Sequence, residues 1–411
     1  MKASPKSSAK GRGDLNCVSL FSGAGGLDIG FERAGFRTVA MNELEKAFVQ
    51  TLKKNANTPK ADGRIYFEGA NVLEGDIRSL RGSDLSRGRK VHCVIGGPPC
   101  QAFSSAGKQR SVLDQRGQLV DEFCRVVDEV SPPVFLFENV RGLVTARDEK
   151  GRPGGVVERI FDKLQDLGYS CRAQLLNAAD YGAYQRRVRC FIIGVRNGSA
   201  PLFPNPSHDD GDNSLLSRPH KTLGEFLRTS ADRDRSRYSY PSDRLRAALA
   251  DLPGGSGLKS GGVSEPTRPG GHWGYRQGTF IADLTKPART VTGSASQDLI
   301  RWEGELRRLT LLEVKRLQGF PDDWEICGTD AQIFKQIGNA VPTVFGELLG
   351  NALREYLSEE HSTPPERKEL PPAFRKYIEY TITDHARNKS ARRVHKNFEL
   401  DAESRASASK R

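Results

Sequence analysis

The sequence predicts an α/β fold, a sheet wound with helices and followed by a smaller, less regular region. Three observations predict it. Short apolar, β-branched runs recur at Cys17–Phe21, Arg37–Met41, Val91–Ile95, Val134–Phe137, Cys171–Leu176 and Cys190–Val195, separated by segments of helical period. Several of these runs end in glycine, proline or an acid, at the strand ends where open α/β sheets place their sites. From Asn197 to about residue 300 the chain turns rich in Gly, Pro, Ser, Arg and Asp, with few apolar runs.

In order, residues 1–14 are small, polar and basic and read as a disordered lead-in. The strand Cys17–Phe21 runs into Ser22-Gly23-Ala24-Gly25-Gly26, and Leu27, Ile29 and Phe31 then open a helix. Strand, glycine turn and helix together let backbone N–H groups approach a nucleotide-like ligand closely. Glu43 ends the next strand, placed either to accept from ribose hydroxyls or to face the dipole of the helix that follows. In Gly75-Asp76-Ile77, after a short strand near Asn71–Leu73, the acid could accept from an exocyclic amine such as adenine offers. The spacer Thr58–Gly69 has no readable pattern.

The stretch VHCVIGGPPCQAFS, Val91 to Ser104, reads as a buried strand stopped by a rigid turn that delivers Cys100. Two prolines fix φ just before the thiol. A packing cysteine needs no such mounting, whereas a nucleophile does. Gln101–Leu119 is polar and without apolar period, the pattern of a lid able to close over a polyanion. A helix over 118–130 leads to the strand Val134–Phe137, which ends in Glu138-Asn139-Val140. A carboxyl following VFLF is desolvated, which raises its pKa and suits a proton donor; the alternative is an N-cap acid. Gln185-Arg186-Arg187-Val188-Arg189 sets three arginines beside a buried strand, a pattern suited to planar polar or anionic groups. Within 197–300 the clearest ordered patch is Pro287–Thr292. Leu309–Trp324 returns to helical period until Gly319-Phe320-Pro321, and Gln336–Pro342 starts an apolar helix to about Leu357. Beyond Ser362 the chain reads as a basic, solvated terminus, with only Phe374–Ile382 hinting at order.

The 411 residues carry a formal charge of +12, which favours a polyanionic partner. Much of it sits at the ends: four Lys/Arg against one Asp in 1–14, and twelve against seven Asp/Glu in 361–411. The seven cysteines form no Cys-x-x-Cys pair and lie near no histidine cluster, which argues against zinc and for a reducing compartment. No apolar run approaches the ~20 residues of a membrane helix.

Taken as an ordered series, Phe21-Ser-Gly-Ala-Gly-Gly26, Glu43, Gly75-Asp-Ile77, Gly97-Pro-Pro-Cys-Gln101, Glu138-Asn-Val140, Gln185-Arg-Arg-Val-Arg189, Arg316-Leu-Gln-Gly-Phe-Pro321 and Gln336-Ile-Gly-Asn339 closely resemble the DNA (cytosine-5)-methyltransferase family of bacterial restriction-modification type. The resemblance covers about 15–196 and 305–357. It departs at Val188, where many relatives carry Glu, at Glu313-Val314, and in the order Val120-Asp121-Glu122.

The resemblance implies a Rossmann-like mixed sheet flanked by helices, the S-adenosylmethionine-dependent methyltransferase fold, with a catalytic part at 15–196, a target-recognition part at 197–304, a hinge and return at 305–358 and a basic tail at 359–411. It implies S-adenosyl-L-methionine as donor and S-adenosyl-L-homocysteine as product, with no metal. Phe21, Ser22, Gly23, Gly25, Gly26, Leu27, Glu43, Leu44, Asp76, Ile77, Pro98, Asn339 and Ala340 would line the donor site. Cys100 would attack carbon 6 of a flipped cytosine, Glu138 would act at ring nitrogen 3, and Arg187 and Arg189 would hold the base oxygen and the carboxylate. Ser104, Arg110 and Arg116 in the lid, with Thr290 and Val291, would contact DNA. The expected partners are double-stranded DNA and, functionally, a restriction endonuclease, for a monomer in the bacterial cytosol with no membrane association. The rivals are an RNA cytosine methyltransferase of the same fold, a catalytically silent DNA-binding relative, and a nicotinamide-dependent dehydrogenase, which would leave Cys100 unexplained.

Overall fold

The structure is a computed structural model that describes residues 15–99, 118–210, 218–258, 267–268, 272–273, 279–294, 298–380 and 383. Its main sheet is built from β1 (Leu15–Leu20), β2 (Phe36–Glu43), β3 (Asn71–Glu74), β4 (Cys93–Gly96), β5 (Val134–Val140), β6 (Ser170–Asn177) and β7 (Val188–Val195). The strand order is β3-β2-β1-β4-β5-β7-β6. All neighbours pair in parallel except β7, which is antiparallel to both β5 and β6. The expected mixed sheet is therefore present. The carboxyl ends of β1 to β5 share one edge, and because β7 runs the other way its first residues, Val188 and Arg189, lie at that edge too. The order reverses between β1 and β4, which opens a crevice there.

Helices α1 (Gly26–Arg33), α2 (Lys46–Asn55), α3 (Gly82–Ser86), α4 (Gln118–Val130) and α5 (Gly155–Asp166) flank the sheet. The apolar strand residues alternate between two buried clusters. Phe135 and Phe137 join Phe123, Val157 and Phe161 on one face, while Val134 and Leu136 join Leu27, Phe31 and Phe345 on the other. The region after β7 holds β8 (His208–Asp209), β9 (Arg218–Pro219), α6 (Leu223–Ser230), α7 (Asp243–Ala248), β10 (Ser256–Gly257), β11 (Thr267–Arg268), β12 (His272–Trp273), β13 (Phe280–Ile281), β14 (Leu299–Trp302) and β15 (Glu305–Arg308). Its largest sheet is four short strands in the order β10-β13-β14-β15. The chain then returns through α8 (Leu311–Leu317), α9 (Asp330–Asn339) and α10 (Thr343–Leu357).

α10 lies unusually close to α1, and glycines allow it. A Cβ on Gly30 would stand 2.5 Å from the Gly346 Cα, and one on Gly346 would stand 2.3 Å from the Leu27 carbonyl oxygen. The carboxyl-terminal part of the chain thereby backs the helix that opens at the glycine turn.

Two sequence expectations need correction. The unreadable spacer is ordered: Ala56 and Pro59 bridge to Tyr66 and Ile65, and Tyr66 and Phe67 set their rings edge-on against Trp324 at 5.2 and 5.6 Å. The segment beyond Ser362 is no solvated terminus as far as residue 380. Leu370 and Phe374 are buried in the α4–α5 cluster, and residues 372–380 are helical. The apolar anchors there are few and widely spaced, so composition hides them.

Candidate active site at the carboxyl edge of the sheet

At the end of β5, Glu138 is buried, and its Oε1 meets Arg189 Nε at 3.1 Å. The register explains the meeting. Arg189 pairs with Val140, one step along the same face from Glu138, so the two side chains lie diagonally across neighbouring strands. Burial pushes the Glu138 carboxyl above the usual range, opposed by the charges of Arg189 and Arg187. Its Oε2 points to Gly97, where a Cβ would come within 2.6 Å. Any side chain at this position would press on the Glu138 carboxyl and move it. Asn139, on the opposite face of β5, donates from Nδ2 to the Pro98 carbonyl at 3.1 Å. The Gly97-Pro98-Pro99 turn is therefore held from both sides by consecutive residues of β5. Cys100 follows this turn but, with Ser104, Arg110 and Arg116, lies outside the described residues.

Arg187 is placed differently from Arg189. Its guanidinium donates to the carbonyls of Val291 (2.8 Å), Gly338 (2.6 Å) and Ala340 (2.9 Å). It therefore ties the 290s and the end of α9 to β7, and its described contacts are backbone carbonyls rather than the carboxylate. Gln185, fully buried, donates to the Leu317 carbonyl at 2.9 Å and accepts from the Val291 N–H at 3.3 Å. Gln318 in turn donates to the Ile337 and Ala340 carbonyls. Gln336, also buried, makes a separate tie, accepting from Thr51 Oγ1 at 2.6 Å and donating to the Cys327 carbonyl at 2.7 Å. Gln185 and Gln318, from two distant motifs, thus form one buried joint with Arg187 at the end of α9. Polar residues set inside apolar runs were the available signal for this joint.

Thr290 and Val291 belong to the same joint, against the expectation that they face DNA. Thr290 Oγ1 donates to the Arg186 carbonyl at 2.6 Å, and Val291 is 3 % exposed with its amide and carbonyl both engaged. Backbone atoms of Thr292 and Gly293 come so close to Gly338 that a Cβ there would lie 2.2 Å away, so the chain crossing needs that glycine.

Across the crevice, the turn after β1 carries three left-handed residues: Phe21 at φ 55°, Gly23 at φ 58° and Gly25 at φ 84°. Glu43 accepts from the N–H groups of Gly23 (2.9 Å), Leu44 (2.8 Å) and Glu45 (2.9 Å), which fixes its carboxylate against the turn. Burial still leads its pKa upward. Leu44 beside it is 61 % exposed, a large apolar side chain held at the mouth of the crevice. Asp76 is gripped by Arg78, whose Nε meets both carboxyl oxygens at 3.0 Å; Arg78 holds its carboxyl below the ordinary range. Ile77 is buried beneath the Asp76 turn. Gly26 and Leu27 serve packing: a Cβ on Gly26 would strike the Val341 carbonyl oxygen at 2.3 Å, and Leu27 is buried. That contact, with Ala340 Cβ 3.3 Å from the same point, brings Asn339-Ala340 beside the glycine turn. Asn339 is exposed there, and Ser22 donates to Ser19 Oγ at 2.8 Å.

Sequence reading missed Asp28. In the first turn of α1 it is fully buried, with neither carboxyl oxygen in hydrogen-bonding geometry with a donor among the described residues. Among the described residues no group of His, Cys, Asp and Glu could hold a metal ion, and no helix is long and apolar enough to cross a membrane.

A glycine turn at the switch point, acids ending successive strands and an inserted antiparallel strand define a Rossmann-like methyltransferase. Solved structures share the fold: the Dnmt2 methyltransferase of S. pombe (19 % identical, TM-score 0.57, covering 83 % of this chain and 99 % of that one) and the methyltransferase EhMeth of Entamoeba histolytica (16 %, TM-score 0.56, 85 % and 100 %). The chain belongs to the C-5 cytosine-specific DNA methylase family, whose profile matches residues 15–355. It is 33 % identical over 355 residues to the type II methyltransferase M1.HphI of Haemophilus parahaemolyticus, covering 84 % of this chain and 88 % of that one. It is 31 % identical over 373 residues to M.FnuDI of Fusobacterium nucleatum, covering 86 % and 98 %. The protein is a DNA (cytosine-5-)-methyltransferase.

Proposed function

We propose that the chain takes its methyl group from S-adenosyl-L-methionine, leaving S-adenosyl-L-homocysteine, and places it on carbon 5 of a cytosine swung out of a specific duplex site. The residues present fit that donor. Glu43 offers a carboxylate pinned by three N–H groups to ribose hydroxyls, Leu44 offers apolar surface to a flat ring with Ile77 packed behind the Asp76 turn, and Asp76 offers an acceptor to an exocyclic amine. Phe21, Ser22, Gly23, Gly25, Pro98 and Asn339 complete the site, with Gly26, Leu27 and Ala340 shaping it from behind. The bound donor supplies an electrophilic methyl on a sulfonium.

The chain's own residues make cytosine able to receive it. The Cys100 thiolate adds to ring carbon 6, and Glu138 gives a proton or a strong hydrogen bond to nitrogen 3, where charge develops. Carbon 5, now enamine-like, forms the new carbon–carbon bond as the sulfonium–carbon bond breaks. A base then takes the carbon-5 proton, and the returning electron pair expels the Cys100 sulfur. Arg189 keeps Glu138 oriented throughout. Arg187 acts through the joint it holds, and Thr290 and Val291 through their attachment to it. Ser104, Arg110 and Arg116 contact phosphates. Residues 15–196 form the catalytic part, 197–304 the recognition part and 305–358 the return. The type II names of the relatives support a restriction endonuclease as functional partner; in this reading the chain works as a monomer in the bacterial cytosol.

The observation that carries this reading is the buried Glu138–Arg189 pair beside the turn that leads to Cys100. Transfer of labelled methyl from S-adenosylmethionine to duplex DNA, lost in Cys100→Ser, is the expected result. Label that persists in that variant, or that enters only RNA, overturns it.

A further inference from the structure

The family profile ends at residue 355, yet the chain continues in contact with the catalytic part for 25 residues more. From the end of α10 the His361 ring stacks on Tyr356 at 3.8 Å. The Thr363 carbonyl then accepts from the Gly198 N–H at 2.7 Å, just beyond β7. Glu366 accepts from Ser199 at 2.6 Å, and Arg367 reaches Asp166 on α5 at 2.5 Å. The Gln165 side chain and the Lys368 backbone exchange two hydrogen bonds, at 3.0 and 2.6 Å. Leu370 and Phe374 sink into the core. The helix at 372–380 finally settles on the single helical turn Arg141–Thr145, which directly follows Glu138-Asn139-Val140. Tyr377 lies under the Arg141 guanidinium at 5.7 Å. Ile378 packs on Gly154 so closely that a Cβ there would lie 2.4 Å from its Cδ1, with the Val144 carbonyl oxygen 3.5 Å from the same point.

We propose that residues 359–380 are a positioning strap for the nucleophile: Tyr377 and Ile378 fix the Arg141–Thr145 turn, and through it the end of β5 whose Asn139 holds the Pro98 carbonyl. The strap lies on the sheet face that Asn139 shares with Phe135 and Phe137, not on the face of Glu138. Its effect therefore falls on the turn carrying Cys100. The cofactor crevice, on the far side of β4, is spared. Freeing the β5 end lets the Pro98 turn drift, and a reacting atom displaced by about 1 Å costs on the order of a hundredfold in rate.

This inference rests on Cys100 as the nucleophile, and the test separates the two. Full-length wild type and the double variant Tyr377→Ala/Ile378→Ala are given a duplex carrying 5-fluorocytosine at the methylated site, together with S-adenosylmethionine. Covalent trapping is timed, S-adenosylhomocysteine affinity is titrated and the melting temperature is measured. The expected result is trapping slowed about tenfold or more, cofactor affinity within twofold, melting near wild type, and recovery in Tyr377→Phe with Ile378 intact. Trapping at the wild-type rate overturns the strap. So does a parallel loss of cofactor affinity and melting temperature, which marks a merely structural segment. Absence of trapping in the wild type overturns the nucleophile itself.

Discussion

Two buried carboxylate–guanidinium pairs do opposite work in this molecule. Glu138 meets Arg189 through one oxygen at 3.1 Å, and its carboxyl is pushed upward by burial. Glu313 meets Arg307 through both oxygens, at 2.8 and 2.7 Å, and also accepts from the N–H groups of Thr310 and Asp232. Arg307 further lies over the Tyr238 ring at 4.1 Å. The second pair is saturated and joins the 230s to α8; the first leaves its second oxygen beside the Gly97 turn. A carboxylate whose lone pairs are all engaged holds a joint, while one left short of partners in a dry site is ready to carry a proton.

The sharpest way to break this contrast is to neutralise each acid. Glu138→Gln removes the proton donor and keeps the shape, so kcat should fall about 10²–10⁴-fold with cofactor affinity retained. In wild type the donor must be protonated. Since its pKa lies above the ordinary carboxyl value, kcat should hold through mildly acidic pH and decline as pH rises through that raised value. A kcat–pH profile without a falling limb that Glu138→Gln removes would sink the assignment. Glu313→Ala should instead leave Arg307 buried and unpaired, costing about 3–5 kcal/mol in urea unfolding, with kcat of the folded fraction near wild type.

Asp28 sharpens the contrast from a third side, being buried with no guanidinium among the groups that offset its burial. Burial pushes its carboxyl from 3.8 to about 7, opposed chiefly by the Ser19 hydroxyl, with Glu32 and Glu43 adding repulsion and the Cys17 thiol packed nearby. The folded state therefore holds this proton more tightly than the unfolded chain. Stability attributable to the group is complete below about pH 4, declines as pH rises from there to about 7, and carries the full cost above 7. That span corresponds to roughly 4 kcal/mol as an upper limit. Asp28→Asn should gain stability at pH 8 and markedly less at pH 5. An equal change in urea unfolding free energy at both pH values would show that the carboxyl is not strained by its burial.

These three acids also mark how far the sequence could be read. Glu138 was legible because its strand, its motif and its chemistry coincide in three consecutive residues. Glu43 and Asp76 were legible for the same reason, as acids ending strands. Glu313 showed only as a departure from relatives, since its partners Arg307 and Asp232 come from two other segments. Arg187, Thr290 and Val291 looked like ligands for base and DNA because the pattern Gln-Arg-Arg-x-Arg shows residue types but not directions. The antiparallel register of β7 sets Arg189 beside Glu138, whereas Arg187 precedes the strand and its guanidinium turns into the joint. Asp28 was hidden in a helix whose buried face is otherwise apolar, and the strap was hidden by a polar composition anchored at Leu370 and Phe374.

The mildest expected effect concerns an acid at the crevice that is only half-buried and already paired. Asp76 is engaged by Arg78 through side chain and backbone, on a surface where ion pairs hold weakly and salt screens them. A donor amine reaching Asp76 must share its oxygens with that guanidinium. Arg78→Ala should therefore tighten S-adenosylhomocysteine binding by no more than about fivefold, an effect that shrinks as salt is raised from 50 to 500 mM. Asp76→Asn should weaken binding, and adding Arg78→Ala to it should then change nothing further. A twofold or greater additional change in that double variant would mean that Arg78 reaches the cofactor by itself rather than by competing for Asp76.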